Sequence, residues 1–112
     1  MARKQKESNV SDAIRLELAK KGCKIFRSQV GLFYTQYGDM IHIGIKGESD
    51  LHGHRPDGKA FYIETKTPIG SKREEQKKFI KAMQVSGALA GFARSVEDAL
   101  KIVFPEIYKD SM

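Results

Sequence analysis

Apolar positions change their period along the chain, and those changes lay out its elements. From about Lys6 to Lys21 the spacing is helical: Val10, Ala13, Ile14 and Leu18 form one stripe, and Gly22 marks the stop. Lys24 to Val30 reads as a strand. Gly31 to Ile45 carries aromatics, a Tyr37-Gly38-Asp39 turn and alternating Ile41, Ile43 and Ile45, which predicts a small hairpin. Asp50 to Arg55 and Ala60 to Thr65 predict two strands about a Pro56-Asp57-Gly58 turn. The helical period then returns. Ser71-Lys72-Arg73-Glu74 reads as a capping box, opening a helix to about Val85 with Phe79, Ile80 and Met83 inward and Gly87 as its stop. Ala88 to Ala93 is short and apolar, a buried strand returning to the sheet. Ser95 caps a final helix, Val96 to about Val103, and the Pro105 tail ends the domain. The order of elements predicts an α/β chain with an αβββαβ core.

Polar residues inside apolar stripes carry the candidate chemistry. Folding the second hairpin about Asp57 pairs Leu51 with Ile63 and sets Asp50 opposite Glu64. A tighter turn would slip the register by one and put Glu64 on the other face. Carboxylates so paired lie about 5 Å apart at Cβ. At an effective dielectric of about 20 they repel by roughly 3 kcal/mol. A divalent cation reverses that sign, because hard metals bind through one or two carboxylates plus substrate phosphate. Lys66, two residues beyond Glu64, shares its face and suits a phosphate or a developing oxyanion. Gln76 lies near the centre of its helix stripe, where a buried amide needs partners, and the strand of Glu64 is the natural one. In the first helix Glu17 falls within the stripe and Glu7 at its N-terminal edge; a carboxylate aimed at a core is costly without a partner. His52 and His54 share the face of Asp50. Hydrogen bonding near the cleft fits them better than a zinc site, which would want a further N or S ligand.

Composition narrows the partner. The 112 residues make one domain, 1–112, of which 1–6 (MARKQK) are a basic arm. A net charge of +6 favours an anionic partner, with nucleic acid the commonest. Arg27, Lys72, Arg73 and Lys77 are candidate DNA-backbone contacts, alongside Lys78 and Lys81 on the same helix. Tyr34 and Tyr37 suit packing or base stacking. Cys23 stands alone and reads as a small buried residue rather than a nucleophile. No stretch approaches a membrane span and no signal peptide is visible, so a cytoplasmic location is expected.

Asp50, then Glu64-Thr65-Lys66 after a short hairpin, resembles the signature of the PD-(D/E)XK nuclease superfamily. The ordered set Phe26-Arg27-Ser28-Gln29-Val30-Gly31, Gly47-Glu48-Ser49-Asp50-Leu51, Ile63 to Pro68, Gln76 and Gly91 to Ala99 is similar to the stand-alone VRR-NUC domain found in phages, over about residues 7 to 100. The chain departs at the motif's nominal Pro, where Ser49 precedes Asp50, and the literal Pro56-Asp57 is assigned to the turn.

The resemblance implies a restriction-endonuclease-like core, a central mixed sheet flanked by helices. It implies Mg²⁺ or Mn²⁺ held by Asp50, Glu64 and the Thr65 carbonyl, with Lys66 catalytic and Gln76 orienting the Lys or the attacking water. A further carboxylate aligns best with Glu7, whereas the stripe geometry prefers Glu17. No organic cofactor is expected. The implied activity is hydrolysis of DNA phosphodiester bonds by a structure-selective endonuclease. Stand-alone members resemble Holliday-junction resolvases, which work as homodimers on four-way junctions. A nuclease acting on flaps, ends or nicks, and a non-catalytic DNA-binding module on the same scaffold, remain alternatives.

Overall fold

The structure, a computed structural model, describes residues 7–28, 31–43, 49–67 and 69–108, without the side chains of 7, 8, 31–33 and 41–43. The basic arm at 1–6, the expected strand ends at Val30 and Ile45, Gly47-Glu48 and Pro68 lie outside the described residues.

Helix α1 (Glu7–Lys20) buries Val10, Ile14 and Leu18, spaced by four residues as a single ridge. That ridge, rather than one shared with Ala13, faces the core. The helix is therefore rotated from the expected stripe: Ser11 is buried, Ala13 is exposed, and Glu17 moves to the flank. Gly22 ends the helix with φ at +87°. A Cβ there would lie 3.0 Å from Pro56, so glycine also lets the hairpin turn approach.

Four strands build the main sheet in the order β1 (Lys24–Arg27), β4 (Leu51–His54), β5 (Ala60–Thr65), β6 (Leu89–Ala93). β1–β4 and β4–β5 are antiparallel; β5–β6 is parallel, bridged by helix α2 (Glu74–Val85) as a parallel pair requires. Gly53 sits opposite Ile25, where a Cβ would stand 1.9 Å from the Lys24 carbonyl oxygen. The first expected hairpin forms as β2 (Gly31–Tyr34) and β3 (Met40–Ile43), a separate two-stranded sheet with Tyr34, Tyr37 and Met40 exposed.

The two faces of the main sheet differ. Leu51, Phe61 and Ile63 point to the core, with Val10, Ile14 and Leu18 of α1 and Ala99 and Val103 of α3 (Val96–Val103). Tyr62 and Glu64 point the other way, where Phe79 and Gln76 of α2 meet them. This mixed four-stranded sheet with flanking helices is an α/β, restriction-endonuclease-like core.

Two boundaries differ from expectation. Helix α2 starts at Glu74 with Arg73 as its N-cap, so Ser71 does not cap it. Arg73 has no side-chain acceptor, and what remains of the capping box is Gln76 Oε1 accepting from the Arg73 N–H at 3.1 Å. After Val103 the chain forms one more turn, α4 (Pro105–Tyr108), instead of an irregular tail. Proline is well suited to a first helical position. Arg55 holds this end: Nη1 donates to the Val103 carbonyl at 3.0 Å and pairs with Glu106, while the guanidinium lies 5.2 Å from the Phe104 ring. Ser95 caps α3 as expected, its hydroxyl accepting from the Asp98 N–H.

Candidate active site

The β4–β5 hairpin has the expected register, Leu51 opposite Ile63 and His52 opposite Tyr62. One step further along lie Asp50 and Glu64. The ladder has ended there, and the Asp50 carboxylate reaches past Glu64 to Thr65. One oxygen accepts from the Thr65 backbone N–H at 2.9 Å and the other from the Thr65 hydroxyl. Asp50 is therefore fixed by the strand end it faces. Ser49, at the nominal Pro position, is buried and donates its hydroxyl to the Leu51 carbonyl at 3.0 Å, fastening the approach to Asp50.

Glu64, Thr65 and Lys66 run consecutively at 4%, 0% and 6% exposure. Burying two ionisable side chains so close is costly without polar contacts. Glu64 Oε1 accepts from Gln76 Nε2 at 3.0 Å, and Gln76 is in turn tied to the helix start through Arg73. The expected partnership of Gln76 with the strand is thus present, and its partner is the Glu64 carboxylate. Lys66 is pinned by its backbone, its N–H donating to the Ala93 carbonyl at 2.9 Å. The structure gives its ammonium no ion pair with a described carboxylate.

Helix α1 turns back through Lys21-Gly22 into β1, so its first turn lies at the site end of the sheet and its last turn at the Pro56 end. The helix start at Glu7 is at the right end for the cluster, though its side chain lies outside the described residues. Glu17 is not brought to the site. It lies ten residues along, roughly 15 Å at the helical rise, with its carboxylate 4.0 Å from Lys20.

The remaining candidates are dispersed. Arg27, Arg73 and Lys77 are exposed, as is Lys72, which stands 4.7 Å from the Phe92 ring. His52 Nδ1 and the Ser28 hydroxyl are hydrogen-bonded at 2.6 Å, and His54 Nδ1 bonds the Arg55 carbonyl, so neither imidazole is directed at the carboxylates through that nitrogen. The His42 side chain lies outside the described residues. Pro56-Asp57 is the turn: Lys59 N–H and Arg55 hold the Asp57 carboxyl below its ordinary range. Burial pushes the Cys23 thiol up, which suits a packing residue.

Sequence reasoning missed two features. Arg94 Nη1 donates to the Thr67 carbonyl at 2.5 Å, and its backbone N–H donates to Asp98, so it fastens the segment after Lys66 to α3. The parallel register Thr65↔Ala93 is the signal, because it sets Arg94 beside Lys66. The second is a row of stacked rings, Phe26, His52 and Tyr62, on the face that carries Glu64. An alternating strand shows one ring at a time, and only cross-strand register brings them together.

Among the described residues no group of three or more His, Cys, Asp or Glu side chains gathers as a metal cage. The Asp50 and Glu64 carboxylates, at the same strand end, are the groups that could hold a cation. Both are hard oxygen donors, which fits Mg²⁺ or Mn²⁺ bound jointly with substrate phosphate rather than zinc.

A solved structure described as a VRR_NUC domain has this fold. It aligns over 95% of the present chain and 97% of its own length with a TM-score of 0.63, at 14% sequence identity. No protein-family model matches the sequence, and no curated protein matches it. Among the described residues no helix is long and apolar enough to cross a membrane.

Proposed function

We propose that this chain is a metal-dependent DNA endonuclease whose catalytic residues are Asp50, Glu64 and Lys66. The observation that carries the reading is the burial of Glu64 and Lys66 on either side of Thr65, with the Asp50 carboxylate fastened to the same strand end. A structural hairpin gains nothing from a buried carboxylate and a buried lysine at a strand end that a second, half-buried carboxylate faces. A nuclease needs them all.

Asp50, Glu64 and the Thr65 carbonyl would hold Mg²⁺ or Mn²⁺, joined by the Glu7 carboxylate from the helix start. The bound ion supplies charge for the phosphate and a lower water pKa. Gln76 orients the Glu64 carboxylate through its amide, a supporting contact of the kind that fixes ligand geometry. Lys66 assists deprotonation of the attacking water and faces the charge that develops on the phosphate. Ser49 and Arg94 hold the backbone on either side of the centre.

The substrate is DNA. The net charge of +6 and the exposed Arg27, Arg73 and Lys77 suit a phosphate backbone. The resemblance favours a four-way junction, cut symmetrically by a homodimer with one centre for each strand. The test is cleavage of a labelled immobile junction beside flap, nicked and linear duplexes in Mg²⁺, Mn²⁺ or EDTA. Paired, metal-dependent junction cuts that Lys66→Ala abolishes are expected. Cuts confined to flaps or ends would overturn the junction assignment, and no cleavage of any DNA in either metal would overturn the enzyme.

A further inference from the structure

The face of the sheet that bears Glu64 is covered unevenly. Helix α2 lies over β5 and β6, where Phe79 meets Tyr62 edge-on at 5.8 Å. Among the described residues no helix lies over β1 and β4 on this side, because α1 and α3 pack on the other. Cross-strand register sets Phe26 opposite His52 and His52 opposite Tyr62 on the open part.

Their rings form one row. Phe26 and His52 centroids are 5.7 Å apart with planes at 30°; His52 and Tyr62 are 6.4 Å apart at 25°. The Ser28 hydrogen bond at 2.6 Å fixes the middle ring. Phe26 ends the row on the sheet's edge strand and remains 52% exposed. An apolar ring left half exposed at the end of such a row, with its partners already stacked beside it, is a poor element of a core and a prepared surface for another flat ring.

The surroundings indicate which ring. Lys24 shares this face two residues before Phe26 and is exposed. An aromatic floor beside basic side chains is how proteins hold unpaired nucleotides, with the charges tracking phosphates and the rings stacking on bases. The row also runs into the proposed catalytic centre, since Tyr62 and Glu64 are successive residues of one strand face. From Glu64 to Phe26 is two strands across and two residues along, on the order of 12 Å. That is within a few nucleotides of the cut.

We infer that Phe26, His52 and Tyr62 form a stacking platform for unpaired bases of a DNA strand beside the scissile phosphate. Its position rests on the nuclease reading above, and it refines the substrate class: DNA whose bases are unstacked near the cut, as at a branch point. Fully paired duplex cannot reach the row, because its bases are stacked on one another.

Anisotropy of labelled oligo-dT and of a blunt duplex, read in EDTA, tests the platform without cleavage. Phe26→Ala and Phe26→Leu are expected to weaken oligo-dT binding about tenfold, with duplex binding changed less than about twofold, and Phe26→Tyr to restore it. Unchanged oligo-dT binding in Phe26→Ala, equal losses on both DNAs, or a wild type that binds duplex but no oligo-dT would each overturn the inference. Lys66→Ala serves as the separate control: it is expected to lose cleavage in Mg²⁺ while binding oligo-dT as the wild type does. A failed nuclease and a failed platform are thereby read in different assays.

Discussion

The two ends of the β4–β5 hairpin use charge in opposite ways. At the turn, Arg55 answers Asp57 and Glu106 directly, at 2.6 and 2.8 Å, and the acids stand half in water. At the open end, Glu64 and Lys66 are nearly buried; the Gln76 amide donates to Glu64, and an N–H and the hydroxyl of Thr65 donate to Asp50. Opposite charges that close on each other make a joint, and their reactivity is spent. A carboxylate positioned by neutral donors, as Asp50 is by Thr65, keeps its charge for a ligand. One hairpin therefore carries a clamp at one end and a candidate centre at the other.

Substitutions that respect this division should behave differently at the two ends. The largest effect is expected from Lys66→Ala, at least about 10³-fold in cleavage rate, from loss of both proton transfer and charge stabilisation; a thermal melt should move little. Arg55→Ala should do the reverse. Losing the bond to Val103 and the contact with Phe104 should cost about 2 kcal/mol in denaturant unfolding, with cleavage per folded molecule retained. Gln76→Ala should reduce metal affinity or rate about 10- to 100-fold, measured by Mn²⁺ titration and single-turnover cleavage. If Arg55→Ala abolished cleavage while Gln76→Ala did not, the division between the two ends would be broken.

Smaller effects sharpen it. Asp57 is held below its ordinary pKa of 3.8 by the Lys59 N–H and by Arg55, and Glu106 below 4.5 by its own backbone N–H and by Arg55. Depressed carboxyl values contribute stability that is complete above the ordinary values and is lost as pH falls through the lowered ones. Acid titration of unfolding should therefore show a steeper decline below about pH 4.5 in the wild type than in Arg55→Ala. Least of all, Ser95→Ala should cost about 1 kcal/mol and Ser71→Ala almost nothing, because only Ser95 caps a helix.

Much of this was legible because local chemistry and tertiary structure agree. The Pro56-Asp57-Gly58 turn set the register that brings Asp50 level with Glu64, and Gly22 and Ser95 marked helix ends that the fold keeps. What was misread depends on rotation or on distant partners. Periodicity could not tell whether α1 centres on Ala13 or on the ridge of Val10, Ile14 and Leu18, which is why Glu17 looked central. The cap at Arg73 needed knowledge of where Gln76 points, and the ring row needed three strands in register. Arg94 acts through a carbonyl 27 residues away, a contact no local pattern contains.

The central claim is that the open end of the hairpin is a metal-dependent catalytic centre. Mn²⁺ binding and single-turnover DNA cleavage, measured together for wild type, Glu64→Gln and Lys66→Met, test it most directly. The account predicts that Glu64→Gln loses both, while Lys66→Met binds Mn²⁺ as the wild type does and cleaves at least about 10³-fold more slowly. Cleavage by Lys66→Met at the wild-type rate, or Mn²⁺ affinity unchanged in Glu64→Gln, would contradict it.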